Sequence, residues 1–334
     1  MTKSKHYNKK LHNKTKKYNK IKYNKIKYNK TRKFMKMNCS PAVKNKTPIK
    51  DSCFTPDVLN LIKTTYNEYH PSSKITTTNP KQIWFELKTR LSTCKKEDCW
   101  LKELKDDNIK NKLLQYVFAP YQPKSWKKNR NEWLSNFDIS DVLRQYEKPY
   151  KNFKIIGPTP IDFNTRPNDM NGQCVWQDLC DFSLSRFITK NKDKTKLGIV
   201  FNLDRHDQGG SHWVSMFVDL EDKFVFYFDS AGDKIKPEIE SLANIIIKQA
   251  SELPNPSVLE FHQNYPVEHQ MGNNECGMYS LFFIVTMLTN EIDDEPNNKT
   301  VFNDYKEKID FFKKERITDR YMNKYRNIYF NVQT

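Results

Sequence analysis

Three short runs in the middle of the chain are rich in apolar, β-branched and aromatic residues, which is typical of β-strands. They span residues 197–203, 212–220 and 224–229, and short polar or glycine-containing turns separate them. Short connections of this kind favour an antiparallel meander. His212 begins the second run and Asp229 ends the third. Antiparallel pairing brings the start of one strand beside the end of the next, so the pattern predicts that these two side chains are neighbours.

A second pattern places a cysteine at the start of a helix. Residues 277–288 are apolar nearly all round, as expected of a buried central helix, and the polar loop 272–275 leads into them. Cys276 then lies at the helix N-terminus, where unpaired amides favour a thiolate. Gln270 lies six residues before it and can donate a side-chain N–H to an oxyanion, beside the backbone N–H of Cys276.

Cysteine, histidine, an acid and an amide donor are the groups that a thiol hydrolase needs. Each has an ordinary explanation when it is taken alone. A single cysteine at a helix start is most often a small buried hydrophobe, and a histidine at a strand end is usually a surface residue. Their joint occurrence at the edges of regular elements predicts acyl transfer through a thioester.

The remaining patterns indicate an α+β catalytic part, residues 129–334, behind a small helical part, residues 51–128. Helices are predicted in the N-terminal part at residues 56–66, 81–92 and 100–116, and in the catalytic part at 138–148, 175–189, 237–252 and 305–329. Extended segments are predicted at residues 153–163 and 258–261.

Charge is concentrated at the N-terminus. Residues 1–50 contain 18 of the 57 lysines and arginines and no Asp or Glu, which leaves 39 basic and 40 acidic residues in the rest of the chain. The first part repeats Tyr-Asn-Lys-Ile-Lys and cannot bury enough apolar area to offset its ordering entropy, so we expect residues 1–50 to be disordered. Residues 1–36 suit a nucleic acid or an acidic partner. A solvated tail produced by an AT-rich genome is an equally good explanation.

Seven cysteines spread over a long chain do not suggest a disulfide framework. Cys94 with Cys99, and Cys174 with Cys180, are spaced too widely for the usual zinc knuckle, so we expect no metal or cofactor. We interpret the seven cysteines as buried thiols in a reducing compartment. The longest strongly apolar stretch is too short to span a bilayer, and the basic N-terminus lacks the apolar region of a secretory signal. We therefore expect no membrane span and no secretion.

Several motifs resemble those of one family of proteases. They are Gly-Ser-His-Trp-Val at 210–214, Phe-Asp-Ser-Ala-Gly at 228–232, the run from Gln270 to Gly277, and the segments 133–139 and 157–163. The chain is similar to the SUMO-protease and adenovirus-protease clan of cysteine peptidases, and most similar to the polyprotein-processing thiol proteases of large cytoplasmic DNA viruses, the African swine fever virus type. The resemblance implies a papain-like core with the nucleophile on a central helix against a mixed sheet.

The resemblance also implies roles for individual residues. Cys276 would be the nucleophile, His212 the general base, Asp229 the acid that orients the histidine, and Gln270 the oxyanion donor. The SUMO proteases of this clan usually have Asp immediately before the nucleophile, where this chain has Glu275. That difference keeps the charge and the mechanism, and it weakens only the case for SUMO itself as the substrate.

Two tryptophans are the predicted substrate-binding residues. By the same resemblance, Trp213 and Trp133 would flank a narrow tunnel, and two indole faces against a backbone leave no room for a Cβ. A Gly-Gly substrate end would be selected on steric grounds. For Trp133 an alternative stays open, because a tryptophan at this position also suits the anchor of an amphipathic helix.

Three functions remain open from the sequence. The first is a viral endopeptidase that cuts structural precursors after Gly-Gly-type sites during virion maturation, in the virion and the cytoplasmic viral factory of the host. The second is a deconjugase for SUMO or ubiquitin-like modifiers. The third is a non-enzymatic, nucleic-acid-binding scaffold, against which the intact set of four catalytic groups argues.

Overall fold

The computed structural model of the protein describes residues 34–295 and 298–333. The lysine-rich repeats of the predicted tail, residues 1–33, lie outside the described residues. From Phe34 onward the described chain forms one compact unit. A domain boundary between residues 128 and 129 therefore stays a prediction.

Within residues 34–128 the chain forms three α-helices, as predicted. They are α1 (Pro56–Tyr69), α2 (Pro80–Arg90) and α3 (Asp107–Val117). Each follows a capping side chain, from Thr55, Asn79 or Asp106, that accepts a hydrogen bond from an N–H of the first turn. A 3-10 helix at Glu97–Glu103 precedes α3, so the helix predicted at residues 100–116 is two separate elements.

Residues 34–50 differ from the prediction of a disordered tail. Met37 and Val43 are fully buried, and Met37 belongs to the apolar cluster of the three N-terminal helices. The backbone N–H of Ser40 donates to the carbonyl of Val117. The lysine-rich repeat ends before this segment, and the apolar residues that follow it give the segment enough surface to bury.

Five strands of the described chain form one mixed sheet. In spatial order they are β1 (Phe153–Pro160), β2 (Lys196–Asn202), β3 (Trp213–Asp219), β4 (Phe224–Phe228) and β5 (Glu260–Gln263). The predicted antiparallel meander is confirmed for β2, β3 and β4. The two outer pairs, β1 with β2 and β4 with β5, are parallel.

Helices cover both faces of this sheet. They are α4 (Asn136–Arg144), α5 (Leu184–Lys190), α6 (Pro237–Ser251), α7 (Cys276–Thr289), α8 (Tyr305–Lys314) and α9 (Asp319–Tyr329). The sheet has a hydrophobic core on each face, and successive side chains of β3 point into opposite cores. Phe217 packs with α7 in one core, whereas Met216 packs with α6 in the other. Helix α7 is buried along nearly its whole length, so it forms the centre of one layer.

Two predicted helices are shorter than expected. The helix predicted at residues 175–189 begins only at Leu184, because Asp181 has a positive φ of 46° and Ser183 caps the following turn. The helix predicted at residues 305–329 is divided into α8 and α9, and Thr318 caps the second. A hairpin of β6 (Glu291–Glu295) and β7 (Asn298–Val301) precedes α8.

The interpretation of the cysteines as buried thiols is wrong for six of them. All seven cysteines lie within residues 34–295, and the structure pairs six as disulfides: Cys39–Cys53, Cys94–Cys99 and Cys174–Cys180. Their Cα atoms are 5.1, 5.5 and 5.9 Å apart, within the range that a disulfide spans. Turns bring each pair together, and spacing along the chain does not reveal such turns. Cys276 alone is free.

Candidate active site

Strand pairing brings His212 and Asp229 together. His212 immediately precedes β3 and Asp229 immediately follows β4, and the two strands are paired up to Ser215 and Phe228. His212 Nε2 lies 2.7 Å from Asp229 Oδ1, and the carboxylate is fully buried. Because Nε2 makes this contact, Nδ1 is the ring nitrogen left for another partner.

Direct hydrogen bonds hold the buried carboxylate and its backbone in place. The side-chain oxygen of Asn264 accepts a hydrogen bond from the backbone N–H of Asp229 at 2.9 Å. Its amide nitrogen donates to the carbonyl of Asp229 at 2.7 Å, and the N–H of Ala231 donates to Oδ1 at 2.8 Å. Asn264 was not singled out from the sequence, because it lies 35 residues from Asp229 and carries no local signal.

Cys276 is the first residue of α7, and its side chain is 1% exposed. The polarity of the helix favours a thiolate at this end. Burial alone would lower the pKa of His212, but hydrogen bonds with Asp229 and Cys276 and their charges outweigh burial and raise that pKa to about 10. At neutral pH the arrangement therefore supports an imidazolium beside the thiol group, stabilised on its other side by the buried carboxylate.

Gln270 is buried beside the same loop. Its side-chain oxygen accepts a hydrogen bond from the hydroxyl of Ser230 at 2.8 Å, and its Nε2 donates to the carbonyl of Gly272 at 2.8 Å. The carbonyl of Gly272 can only accept, so its contact fixes which end of the amide is the nitrogen, and an amide nitrogen has a second hydrogen to donate. Ser230 follows Asp229 directly in the sequence, which is the one signal that could have identified it.

The two predicted tryptophans line one cleft of about 800 Å³. Trp213 is buried, whereas Trp133 is 38% exposed. The indole N–H of Trp213 donates to the carbonyl of Leu134 at 3.0 Å, which fixes the ring beside the segment that carries Trp133. His212 and Cys276 are not among the residues that line the cleft.

Leu134 also connects the cleft to the helix of the cysteine. A Cβ added at Gly277 would lie 2.9 Å from the Cβ of Leu134, which is closer than side chains approach. A glycine after Cys276 therefore lets the Trp133–Leu134 segment pack directly on the start of α7. The structure thus gathers the six predicted site residues around two groups, an adjoining cleft and a histidine–carboxylate–thiol group in which the histidine alone is partly exposed.

Neither a metal site nor a membrane helix is found in the part of the chain that the structure describes. Residues 34–295 and 298–333 contain no group of three or more His, Cys, Asp or Glu side chains placed to hold a metal ion. In the same residues, no helix combines the length and the apolar character that crossing a bilayer requires.

Comparison with known proteins gives three consistent matches. Residues 184–321 match the Ulp1 protease family, C-terminal catalytic domain. The chain is 26% identical over 325 residues to a putative thiol protease of Acanthamoeba polyphaga mimivirus, covering 88% of this chain and 93% of that protein. It is 26% identical over 168 residues to the SUMO-1 cysteine protease of African swine fever virus (isolate Warthog/Namibia/Wart80/1980), covering 49% of this chain and 60% of that protein.

The fold agrees with a solved structure of the same group. The crystal structure of the selenomethionine form of the African swine fever virus protease superposes with a TM-score of 0.54 at 20% sequence identity, covering 89% of this chain and 96% of that one. The predicted α+β fold and the predicted resemblance are thereby confirmed.

Proposed function

We propose that this chain, which is a Ulp1-like cysteine peptidase, cleaves viral structural precursor proteins after Gly-Gly-type sites during virion maturation. The observation that carries the proposal is the group at the start of α7, in which Cys276 adjoins a histidine whose pKa is raised to about 10. Asp229 holds the other side of that histidine at 2.7 Å.

The first proposed step is attack of the Cys276 thiolate on the substrate carbonyl carbon. The carbon–sulfur bond forms, and the carbonyl oxygen takes the electron pair of the former double bond. The free N–H of Gln270 Nε2 and the backbone N–H of Cys276 are the proposed donors to that oxyanion. The orientation of Gln270 supports this step, because the carbonyl of Gly272 keeps its nitrogen on the side of the loop and the hydroxyl of Ser230 holds its oxygen.

The second step is collapse of the tetrahedral intermediate. The imidazolium of His212 donates its Nδ1 proton to the departing amine, the carbon–nitrogen bond breaks, and a thioester remains on Cys276. Neutral His212 then removes a proton from water, which attacks the thioester and releases the substrate acid and the thiolate. Throughout these steps Asp229 stabilises the charged form of the ring.

Selection of glycine is proposed to depend on the cleft. Trp213 is fixed by its hydrogen bond to Leu134, and Trp133 is partly exposed at the same cleft. A substrate backbone between two indole faces has no space for a Cβ, so glycines pass and larger residues are excluded. This proposal treats Trp133 as a substrate-binding residue rather than as a helix anchor.

The proposed setting is the virion and the host cytoplasm. The proteins that support it are the thiol protease of mimivirus and the cysteine protease of African swine fever virus, which share sequence with this chain. We further propose that the basic residues 1–36 bind nucleic acid or an acidic partner inside the particle. Loss of nucleic-acid affinity on deletion of residues 1–33 would support the nucleic-acid partner, and unchanged affinity would rule that partner out.

A second candidate is removal of a SUMO-like modifier from host proteins. It is favoured by the name of the African swine fever virus relative, which is called a SUMO-1 cysteine protease. Both candidates use the same catalytic groups. They differ in whether a folded modifier must dock on the surface around the cleft. The scaffold alternative is not retained, because the chain is an enzyme.

The test compares two substrates with wild type and Cys276→Ala. One is a set of Gly-Gly-Ala peptides, and the other is a fusion to the C-terminus of SUMO or ubiquitin. We expect the wild type to cut the peptides and the variant to cut neither. A preference of more than about tenfold in kcat/KM for the folded fusion would favour the deconjugase. Absence of cleavage of both would refute the proposed substrates.

A further inference from the structure

One edge of the last helix, α9, contacts two segments beside the proposed nucleophile, residues 131–133 and the loop 272–275. Asp319, Asn323 and Arg326 occupy positions i, i+4 and i+7 of α9, so their side chains lie along one stripe. Met322 and Tyr325 lie on another side of α9 and are buried in the core formed with α7. The apolar side therefore fixes the helix, and the polar edge is left to contact the loops.

Arg326 is buried where the two loops meet. Its Nε donates to the two carboxylate oxygens of Glu275 at 2.9 and 3.2 Å. Its Nη1 donates to the carbonyl of Glu132 at 2.9 Å, and its Nη2 donates to the carbonyl of Asn274 at 3.2 Å. The guanidinium also lies over the ring of Trp126, 4.4 Å from the centroid. One rigid planar group therefore fixes the residue before Trp133 and the residue before Cys276.

Asn323 makes a second connection one turn earlier. Its Nδ2 donates to Asn131 Oδ1 at 3.0 Å and to Glu275 Oε1 at 3.3 Å. The two loops are also joined directly, because Asn274 Nδ2 donates to the carbonyl of Asn131 at 2.7 Å. Segment 131–133 and loop 272–275 are therefore tied to each other and to α9.

Asp319 holds the other end of the loop. Its Oδ2 accepts hydrogen bonds from the backbone N–H groups of Met271 at 3.1 Å and Gly272 at 2.8 Å. Its Oδ1 accepts from the hydroxyl of Tyr279, a residue of α7, at 3.0 Å. Gly272 is also the residue whose carbonyl accepts from Gln270 Nε2. Asp319 thus fixes the segment that orients the proposed oxyanion donor.

We infer that Asp319, Asn323 and Arg326 are positioning residues, which set the proposed oxyanion donor, the nucleophile and the tryptophan wall of the cleft relative to one another. The inference rests on the proposed function for the roles of those groups. A buried ion pair is by itself weak evidence for stability, because desolvation offsets much of its attraction. The arrangement is better explained by geometry, since the contacts converge on the two loops that carry the site.

The test measures kcat and KM of the full chain on a Gly-Gly peptide, well below the melting temperature of each variant. Arg326→Lys keeps the charge beside Glu275 but cannot reproduce the planar set of donors. We expect it to lower kcat and raise KM, with kcat/KM falling about tenfold or more, because misplacement by about 1 Å can cost about a hundredfold. Asn323→Ala, which removes two hydrogen bonds and leaves the ion pair, should act in the same direction by a smaller factor.

Asp319→Ala tests the loop of Gln270 independently of segment 131–133. It should lower kcat while KM stays within about twofold, since it acts on the side of Gln270 and not on the cleft. Asp319→Asn, which keeps an oxygen to accept the loop N–H groups, should restore most of the activity. Arg320→Met is the matched control, because Arg320 is exposed on the same helix, and we expect it to behave as wild type.

The inference is overturned if Arg326→Lys and Asp319→Ala lower the melting temperature but match Arg320→Met in kcat and KM. If the wild type cuts no Gly-Gly peptide, the proposed substrate class fails, and alkylation of Cys276 by iodoacetamide decides the matter. A rate for Arg326→Lys that differs by more than about threefold from that of Arg320→Met then supports positioning of the thiol. Equal rates overturn it.

Discussion

His269 makes the protein sensitive to acid at the position directly before the proposed oxyanion donor. The ring is fully buried, its Nε2 contacts the carbonyl of Phe312 at 3.0 Å, and its Nδ1 accepts from the N–H of Ile317 at 3.2 Å. These partners fit the neutral ring, because a proton on Nδ1 would face another donor. Burial is the largest cause that lowers the pKa of His269, and with the positive charge of Arg316 it brings the pKa to about 4.

The sign of the effect follows from the two protonation states. Between pH 6.5 and pH 4 the unfolded chain binds a proton at His269 that the folded chain does not, so stability falls as pH falls through this window. For these two pKa values the loss is about 2 kcal/mol between pH 7.5 and pH 5, and about 3 kcal/mol by pH 4. The backbone N–H groups of His269 and Gln270 both donate to the carbonyl of Ser230. We therefore expect activity to decline in the same range.

The assay is guanidinium unfolding, followed by tryptophan fluorescence, of wild type and His269→Gln at pH 7.5, 6 and 5. Carboxylates that titrate in this range contribute to both proteins, so the difference between them isolates the histidine. We expect the variant to be less stable at pH 7.5, because it loses the ring contact with Phe228, and to lose less stability on acidification. The same pH dependence in both proteins would refute the account.

Four further predictions concern the site and the cysteines. The alkaline limb of the pH profile of kcat/KM should lie near the His212 pKa of about 10. Asp229→Asn should move this limb to lower pH, because the substitution removes a charge that stabilises the imidazolium. A limb that does not move contradicts the assignment of His212. Gln270→Ala should lower kcat about a hundredfold with little change in KM, whereas a change in KM alone would assign it to substrate binding. Gly277→Ala places a Cβ 2.9 Å from a leucine Cβ, so we expect about 1–3 kcal/mol less stability in chemical denaturation, and an unchanged midpoint would refute the contact. Alkylation of the unfolded, unreduced protein should label Cys276 alone, whereas labelling at all seven cysteines would restore the interpretation as thiols.

The parts of the site that the sequence predicted best depend on local pairing. His212 and Asp229 lie at the ends of strands that a short turn connects, so strand alternation alone brings them together. Cys276 begins α7 because a polar loop meets an apolar run, and that boundary is visible in the sequence. Their catalytic roles stay predictions.

The parts that could not be predicted depend on contacts between distant segments. Asn264 reaches Asp229 across 35 residues, and Ser230 reaches Gln270 across 40. Amide and hydroxyl side chains of this kind are common in loops, and their partners are set by the path of the chain. The prediction of a helix at residues 175–183 was wrong for a related reason. The spacing of apolar residues suits a helix, but Asp181 adopts a left-handed backbone conformation and Ser183 caps a helix that begins after it.

The two halves of the site are therefore supported by different means. The histidine and its carboxylate are held by β3 and β4, which are buried along their whole length and whose register is fixed by the alternation of two cores. The loop 272–275 before Cys276 has no strand pairing of this kind and is held by side chains of α9, up to 52 residues away. We expect loss of these contacts to leave the sheet intact, with the histidine and carboxylate still paired while the loop moves. We therefore expect substitutions on the polar edge of α9 to reduce activity more than they reduce the stability of the fold.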